Sequence, residues 1–156
     1  MDIELQGIGR AALIGIGATA VLDLWLLALA KAGVPTGNFD LVGRWVGHGL
    51  RGRWRHRPIA KSAPIPHERA LGWSVHYASG IAFAVPLVAV AGPAWLAAPT
   101  LGPALAWGLA TVAAPLFVMQ PAMGARRSIF RSIANHAVFG LGLYLAATAL
   151  TLKGLS

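Results

Sequence analysis

Four long apolar stretches constrain this chain more than any other feature of its sequence. They lie at about residues 11–30, 71–91, 100–119 and 132–152, and about twenty apolar residues in a helix can cross the hydrocarbon core of a bilayer. Apolar residues make up 56% of the 156 residues and charged residues only 12%, which is more apolar surface than a soluble domain of this size can bury. The sequence therefore predicts an all-α polytopic membrane protein, a single domain over residues 1–156 with four transmembrane helices.

The first apolar stretch has a rival interpretation as a secretory signal peptide. Arg10 precedes it, and Ala28-Leu29-Ala30 stands where a cleavage site would lie. Asp23 interrupts the apolar core that such a peptide requires. We therefore expect the stretch to remain in the protein as its first span.

The basic residues are spread unevenly over the connections between the four stretches. Nearly all of the 13 Lys and Arg residues lie at residues 31–70 and 120–131, and residues 92–99 contain none. A net charge of +8 would suggest nucleic acid as a partner of a soluble protein. In a membrane protein, Lys and Arg are retained on the cytoplasmic side. We therefore expect both basic connections in the cytoplasm and both termini on the opposite side.

The connection at residues 31–70, called the basic loop below, begins with an amphipathic pattern. Asn38 is a suitable helix N-cap. The following residues up to Arg57 place Phe39, Val42, Trp45, Val46, Leu50 and Trp54 on one side, with Arg44, His48, Arg51 and Arg55 largely on the other. This pattern predicts a basic helix lying in the headgroup plane, although its four glycines weaken the helix by up to about 1 kcal/mol each. The residues expected to contact anionic lipid headgroups are Arg44, Arg51, Arg53, Arg55 and Arg57.

Three ionisable residues, Asp23, His76 and His136, lie within the predicted spans. Such residues are costly in a bilayer and usually face the interior of a helix bundle. Counted from the nearest basic residue at about 1.5 Å per helical residue, they lie roughly 7–12 Å deep on the cytoplasmic side. We expect Asp23 to approach at least one of the histidines. The predicted polar cluster comprises Asp23, His76, Tyr77, Gln120, Asn135 and His136.

Residues of these types have several roles in membranes, and the sequence leaves them open. They can act as polar glue between helices or as a proton- or ion-coupled site. Asp23, His76 and His136 are also candidate ligands for a borderline metal such as zinc or iron, and the two histidines are candidate axial ligands for haem. The sequence names no particular cofactor. His48, His56 and His67 lie in the basic loop, where we expect them to be solvated or to face headgroups.

The second and fourth spans begin alike, which suggests an internal duplication. Each starts after a basic connection and carries His-x-x-x-Gly, as His76 to Gly80 and as His136 to Gly140. A weaker echo relates the segment around Thr19 to the segment around Thr111. Two such helix pairs would form a parallel repeat, an arrangement known from transporters.

Six segments along the chain carry a family resemblance: Gly17–Trp25, Leu41–His48, Gly72–Tyr77, Pro99–Leu101, Met119–Ala122 and Phe139–Tyr144. They resemble the DUF2938 family of bacterial membrane proteins. The resemblance covers nearly the whole chain and implies a small protein of the bacterial inner membrane, but it implies no activity. In that membrane, the uneven distribution of Lys and Arg predicts both termini in the periplasm.

The sequence contains no motif of soluble catalysis, such as a phosphate-binding glycine loop, His-Glu-x-x-His or Gly-x-Ser-x-Gly. This favours a non-enzymatic role, in which a polar cavity on the cytoplasmic side binds or translocates a small polar solute or ion. The alternatives are a metal or haem protein using His76 and His136, and a non-catalytic assembly or lipid-interacting subunit. Expected partners are the bilayer, anionic headgroups and a second copy of the chain, because four helices leave little room for a transport path. Nucleic acid is not expected, since the basic loop is tethered between two spans.

Overall fold

The structure is a computed structural model that describes residues 2–126 and 128–153. Every secondary-structure element within these residues is a helix. In chain order they are α1 (Asp2–Lys31), α2 (Phe39–Gly49), a 3₁₀ turn (Ile59–Lys61), α3 (Glu68–Ala97), α4 (Leu101–Ala110), a π-helical segment (Ala114–Met119), α5 (Gln120–Met123) and α6 (Ile129–Leu152).

Four segments of these helices are long and apolar enough to cross a membrane. They are Gly7–Lys31, Glu68–Ala97, Leu101–Met123 and Ile129–Leu152. The all-α prediction with four spans is therefore confirmed, and the arrangement fits a multi-pass membrane protein. Large apolar side chains such as Leu24, Val90 and Phe117 point outwards and are exposed, as expected for helices that face lipid.

The bundle is built around α1, which packs between α3 and α6, and α6 packs in turn against α4. Small residues allow these helices to approach closely. A Cβ atom on Gly15 would lie 2.6 Å from the Cα of Ile81, and one on Gly142 would lie 2.8 Å from the Cα of Ala18. Ile14 and Leu143 are fully buried in the core between these contacts.

The sequence predicts that Pro86 bends the second span and that Pro115 kinks the third. In the structure, regular α-helix is interrupted beside Pro115 and at Gly92. The predicted break at Pro115 is present, because the π-helical segment begins beside this proline, which has no N–H to donate. In α3 the non-helical residue is Gly92 (φ 73°, ψ −178°), while Pro86 lies within the helix and a bend there stays a prediction. The physical reason is that Pro93 disfavours helical angles at the preceding residue, and glycine tolerates the positive φ.

The helix predicted in the basic loop is present but shorter than expected. Asn38 caps α2, and its side-chain oxygen accepts a hydrogen bond from the N–H of Asp40 at 2.8 Å. The helix ends at Gly49 rather than at Arg57, because the chain turns through Gly52 in a left-handed conformation (φ 84°). Its location in the headgroup plane stays a prediction.

The glycines of α2 serve its packing against α3. A Cβ on Gly43 would clash with the backbone oxygen of Glu68, and one on Gly72 would clash with the backbone oxygen of Phe39. These two positions let the helix backbones touch. Residues that weaken α2 as an isolated helix therefore allow it to dock on the bundle.

Candidate functional site

A cavity of about 370 Å³, called the central cavity below, lies between α1, α2, α3, the π-helical segment and α6. Its wall is mostly apolar and includes Leu22, Val42, Phe83, Pro115 and Phe139. Four polar side chains interrupt this wall: Thr19, His76, Ser79 and His136. Both intramembrane histidines therefore line one cavity, although the cavity is less polar than the sequence predicted.

Asp23 joins α1 to α3 through both of its carboxylate oxygens. Nε2 of His76 lies 2.8 Å from Oδ1 of Asp23, and the hydroxyl of Tyr77 donates to Oδ2 at 2.8 Å. An ionised carboxylate only accepts hydrogen bonds, so Nε2 of His76 carries a proton. The predicted contact between Asp23 and a histidine is therefore present. The neutral imidazole keeps a lone pair on Nδ1, which makes no hydrogen bond to the residues that the structure describes.

Aromatic rings hold His76 in position. Its ring centroid lies 4.2 Å from that of Phe39 on α2 and 5.8 Å from that of Trp73 on α3. Only 11% of the His76 side chain and 21% of the Asp23 side chain are exposed. Since α2 supplies Phe39, the docking of this short helix encloses the pair on one side.

His136 is anchored to a different partner. Its Nδ1 lies 2.8 Å from the hydroxyl oxygen of Thr111, and this hydroxyl donates to the backbone oxygen of Gly108 at 2.6 Å. Because the single hydroxyl proton is used for Gly108, Nδ1 of His136 must be the donor to Thr111. The neutral ring then has an unprotonated Nε2. No hydrogen bond to Nε2 is found in the described parts of the chain.

The six residues of the predicted polar cluster do not form one group. Asp23, His76 and Tyr77 are together, whereas Nε1 of Trp25 donates to Oδ1 of Asn135 at 3.1 Å. Gln120 donates to Ser132 at 2.9 Å. The physical reason is that side chains at the same depth in the membrane can point in different directions. Successive residues of a helix, such as Asn135 and His136, point about 100° apart.

The candidate metal ligands Asp23, His76 and His136 are not assembled as a set. Among the side chains that the structure describes there is no group of three or more histidine or acidic residues that could hold a metal ion. Asp23 instead accepts a hydrogen bond from Nε2 of His76.

The two helix pairs repeat one packing motif. A Cβ on Gly80 of α3 would clash with the hydroxyl of Thr19 on α1, and a Cβ on Gly108 of α4 would lie 2.4 Å from the Cα of Gly140 on α6. In each pair the glycine of His-x-x-x-Gly marks the close crossing. The histidine of each pair is bonded to the partner helix, through Asp23 in the first pair and Thr111 in the second.

The arginines expected to contact headgroups differ in their surroundings. Arg44 forms a two-pronged ion pair with Glu68, with N–O distances of 2.7 and 2.8 Å. The hydrogen bond to Glu68 raises the pKa of Arg44. The others, Arg51, Arg53, Arg55 and Arg57, are exposed. None of them is within ion-pair distance of a carboxylate in the described ranges.

Comparison with known sequences gives one match that covers nearly the whole chain. Residues 12–150 match the family described as protein of unknown function (DUF2938). The chain belongs to the DUF2938 family. No curated protein and no solved structure matches it.

For this DUF2938 protein, sequence reasoning missed Thr111 and Phe39 as parts of the candidate site. Thr111 was visible only as the counterpart of Thr19 in the weak repeat. Phe39 was assigned to an apolar helix side, and nothing in the sequence indicated that it packs against His76. Both residues act through contacts between helices that are distant in sequence, which a hydrophobicity pattern does not specify.

Proposed function

We propose that the protein binds a small amphipathic molecule in the central cavity, with His76 and His136 as its polar contacts. One observation carries the proposal. Each histidine is anchored through one ring nitrogen, to Asp23 or to Thr111, and lines the same cavity, and its second nitrogen has no hydrogen-bond partner among the described residues. Anchoring of this kind fixes a ring and its tautomer, and so prepares the other nitrogen for a ligand.

The wall of the cavity favours a ligand with an apolar body over a bare ion. Apolar residues from α1, α2, α3, the π-helical segment and α6 provide most of the lining. A charge that lost its hydration in these surroundings would be poorly compensated. A ring or short chain with one or two hydrogen-bonding atoms matches both the wall and the histidines.

The Asp23–His76 pair adds a way to couple binding to a proton. A ligand atom that accepts a hydrogen bond at Nδ1 favours protonation of this nitrogen, because Nε2 already carries its proton for Asp23. The resulting imidazolium is stabilised by the adjacent carboxylate. We therefore expect binding to take up a proton when the ligand is an acceptor.

Access from the bilayer is supported by the weak packing of α3 against α4. The π-helical segment that follows α4 forms part of the cavity wall through Pro115 and Val118. Single π-helical turns are frequent at functional sites, where they break the regular ladder of a helix. The ligand would enter between α3 and this segment without leaving the membrane.

Thermal unfolding of the protein in phospholipid nanodiscs tests the proposal. The probes are an alkyl phenol, indole, a short-chain alkylated benzoquinone and zinc chloride. A ligand present at 100 times its Kd stabilises the folded state by about 2.7 kcal/mol. We expect at least one of the three amphipathic probes to raise the unfolding temperature of the wild type and of a His67→Asn control, and to have no effect on the double variant His76→Phe/His136→Phe.

Equal stabilisation of the wild type and the double variant would contradict the proposal, as would the lack of any effect of the amphipathic probes. Stabilisation by zinc chloride alone, or a Soret band in the purified protein, would instead support a metal or haem site on His76 and His136.

A further inference from the structure

A second cavity, of about 440 Å³, lies in the segment that connects α2 to α3, and is called the basic cavity below. Four cationic side chains line it, together with His56 and Ser62. The four are Arg53, Arg55, Arg57 and Lys61. This cavity is separate from the central cavity and has no residue in common with it.

A buried histidine gives the basic cavity a fixed frame. His56, which was expected from the sequence to be solvated or to face headgroups, is instead buried and only 3% exposed. Its Nε2 donates to the backbone oxygen of Arg53 at 3.0 Å, and its Nδ1 then accepts from the hydroxyl of Ser62 at 2.8 Å. Through His56, these bonds connect Arg53 to Ser62, near the two ends of the stretch that lines the cavity. The basic side chains therefore extend from an organised loop rather than from a flexible one.

The same loop is docked on the end of the third span. The backbone N–H of His56 donates to the backbone oxygen of Ala122 at 2.9 Å. Gly124, in a left-handed conformation, leaves room for the loop, because a Cβ there would clash with the backbone oxygen of His56. The basic cavity therefore lies at the end of the bundle where Arg126 and the first turn of α6 are found.

Among the side chains that the structure describes, no carboxylate compensates the charges of the basic cavity. No acidic side chain lines it, and the ion pairs of the described residues are Arg44–Glu68 and Asp23–His76. Cations that line one cavity repel one another, and an anion bound between them offsets this repulsion. Arginine presents a planar fork of donors that matches the oxygens of a phosphate.

We propose that the basic cavity binds a phosphate-bearing anion through Arg53, Arg55 and Arg57, with Lys61 adding charge. The phosphate is either that of an anionic phospholipid headgroup or that of a small soluble phosphate compound. Both present the same oxygens to the guanidinium groups, and both reach the end of the bundle, since the loop lies at the termini of the predicted spans.

Two parallel experiments distinguish the sources. In the first, the protein is placed in nanodiscs of equal parts phosphatidylcholine and phosphatidylglycerol, and native mass spectrometry counts the retained phosphatidylglycerol. In the second, inorganic pyrophosphate is titrated into the protein in pure phosphatidylcholine nanodiscs, with the tryptophan emission as readout, because Trp54 lies between Arg53 and Arg55 in the chain and is 48% exposed. Lipid retention identifies a headgroup site, and saturable pyrophosphate binding identifies a site for soluble phosphate compounds.

A matched pair of triple variants separates the site from general charge. Arg53→Gln/Arg55→Gln/Arg57→Gln removes three cavity charges, whereas Lys31→Gln/Arg69→Gln/Arg126→Gln removes three that do not line the cavity. We expect the first to weaken binding about tenfold or more and the second to weaken it only about twofold. Equal loss in both variants, or no binding of either probe by the wild type, overturns the proposal.

A third variant tests the frame without changing any arginine or lysine. His56→Phe keeps an aromatic ring but removes the bonds to Arg53 and Ser62. We expect about a tenfold loss of the binding seen in the wild type, since the donors are no longer held in place. Unchanged binding in this variant would mean that charge alone attracts the anion, and the organised cavity would be rejected.

Discussion

Nε2 of His76 lies 2.8 Å from Oδ1 of Asp23, although the two residues are 53 positions apart. The bond joins α1 to α3 beside the central cavity and uses the proton on Nε2. It therefore determines which nitrogen of His76 is left for a ligand. A bond that both holds two helices together and sets a tautomer links stability to binding, and substitutions can separate the two effects.

The substitution Asp23→Asn is expected to abolish ligand binding and leave the protein folded. In asparagine an NH2 donor replaces one of the two accepting oxygens, so His76 and Tyr77 can no longer each donate to a separate oxygen, and the neutral amide does not stabilise an imidazolium. We expect thermal unfolding in nanodiscs to show a loss of about 1–2 kcal/mol and the stabilisation by amphipathic probes to disappear. Tyr77→Phe is the control, since it removes only the second bond. If amphipathic probes stabilised Asp23→Asn as much as the wild type, the Asp23–His76 pair would serve only to pack the helices together.

The close crossing of α1 and α3 at Gly15 makes a separate prediction about stability. A methyl group at this position would lie 2.6 Å from the Cα of Ile81. We expect Gly15→Ala to destabilise the protein by about 1–3 kcal/mol through overpacking. Gly9→Ala on the same helix has no atom within 4 Å and should stabilise it by up to about 1 kcal/mol through helix propensity. The free energies of unfolding of the two variants are compared by chemical denaturation in one detergent. If both substitutions changed this free energy in the same direction, the close crossing at Gly15 would be contradicted.

The parts of the fold that could be predicted from sequence depend on length and local chemistry. The four spans follow from apolar length, the start of α2 from Asn38, and the break near Pro115 from its missing N–H. The partners of the polar residues could not be predicted in the same way. The spans are apolar on all sides, so no hydrophobic face indicates how each helix is rotated. Rotation decides that His136 meets Thr111.

The basic loop shows the same limit for short helices. The amphipathic pattern of α2 predicted its existence and its N-cap. Its docking on α3 depends on Gly43 meeting Gly72 and on the Arg44–Glu68 pair. From sequence alone, a glycine at such a position indicates only a weaker helix. Its role in close packing becomes evident once the backbone of the neighbouring helix is known.

The Arg44–Glu68 pair should stabilise the docking of α2 over a wide pH range. The bond to Glu68 raises the pKa of Arg44 on folding, and a group with a raised pKa loses its contribution only when the pH rises through the folded-state value. We therefore expect no loss between about pH 7 and pH 10, where arginine stays charged. Arg44→Lys, which cannot form the two-pronged pair, should cost about 1–2 kcal/mol in thermal unfolding. Arg51→Lys is the control, and an equal cost there would contradict the role of the pair.

The orientation in the membrane can be tested by fusions. The basic loop and the basic turn before α6 carry most of the positive charge, which predicts a cytoplasmic location for both. A C-terminal alkaline-phosphatase fusion should therefore be active in a bacterial host, and a C-terminal fluorescent-protein fusion exported with it should be dark. The reverse result would place the basic cavity on the outer surface.

The tautomer of His136 gives the most direct test of the anchoring argument. Thr111 uses its hydroxyl proton for the backbone oxygen of Gly108, so Nδ1 of His136 must carry the proton and Nε2 must be free. In ¹⁵N spectra of histidine-labelled protein we expect His136 as the Nδ1-protonated form at a pH where it is neutral. Thr111→Val removes the acceptor, so the Nε2-protonated form should gain population and ligand binding should weaken about tenfold. Thr148→Val removes a hydroxyl of α6 that donates to the backbone oxygen of Tyr144 and should change neither. An Nε2-protonated His136 in the wild type would show that this ring nitrogen is not free for a ligand.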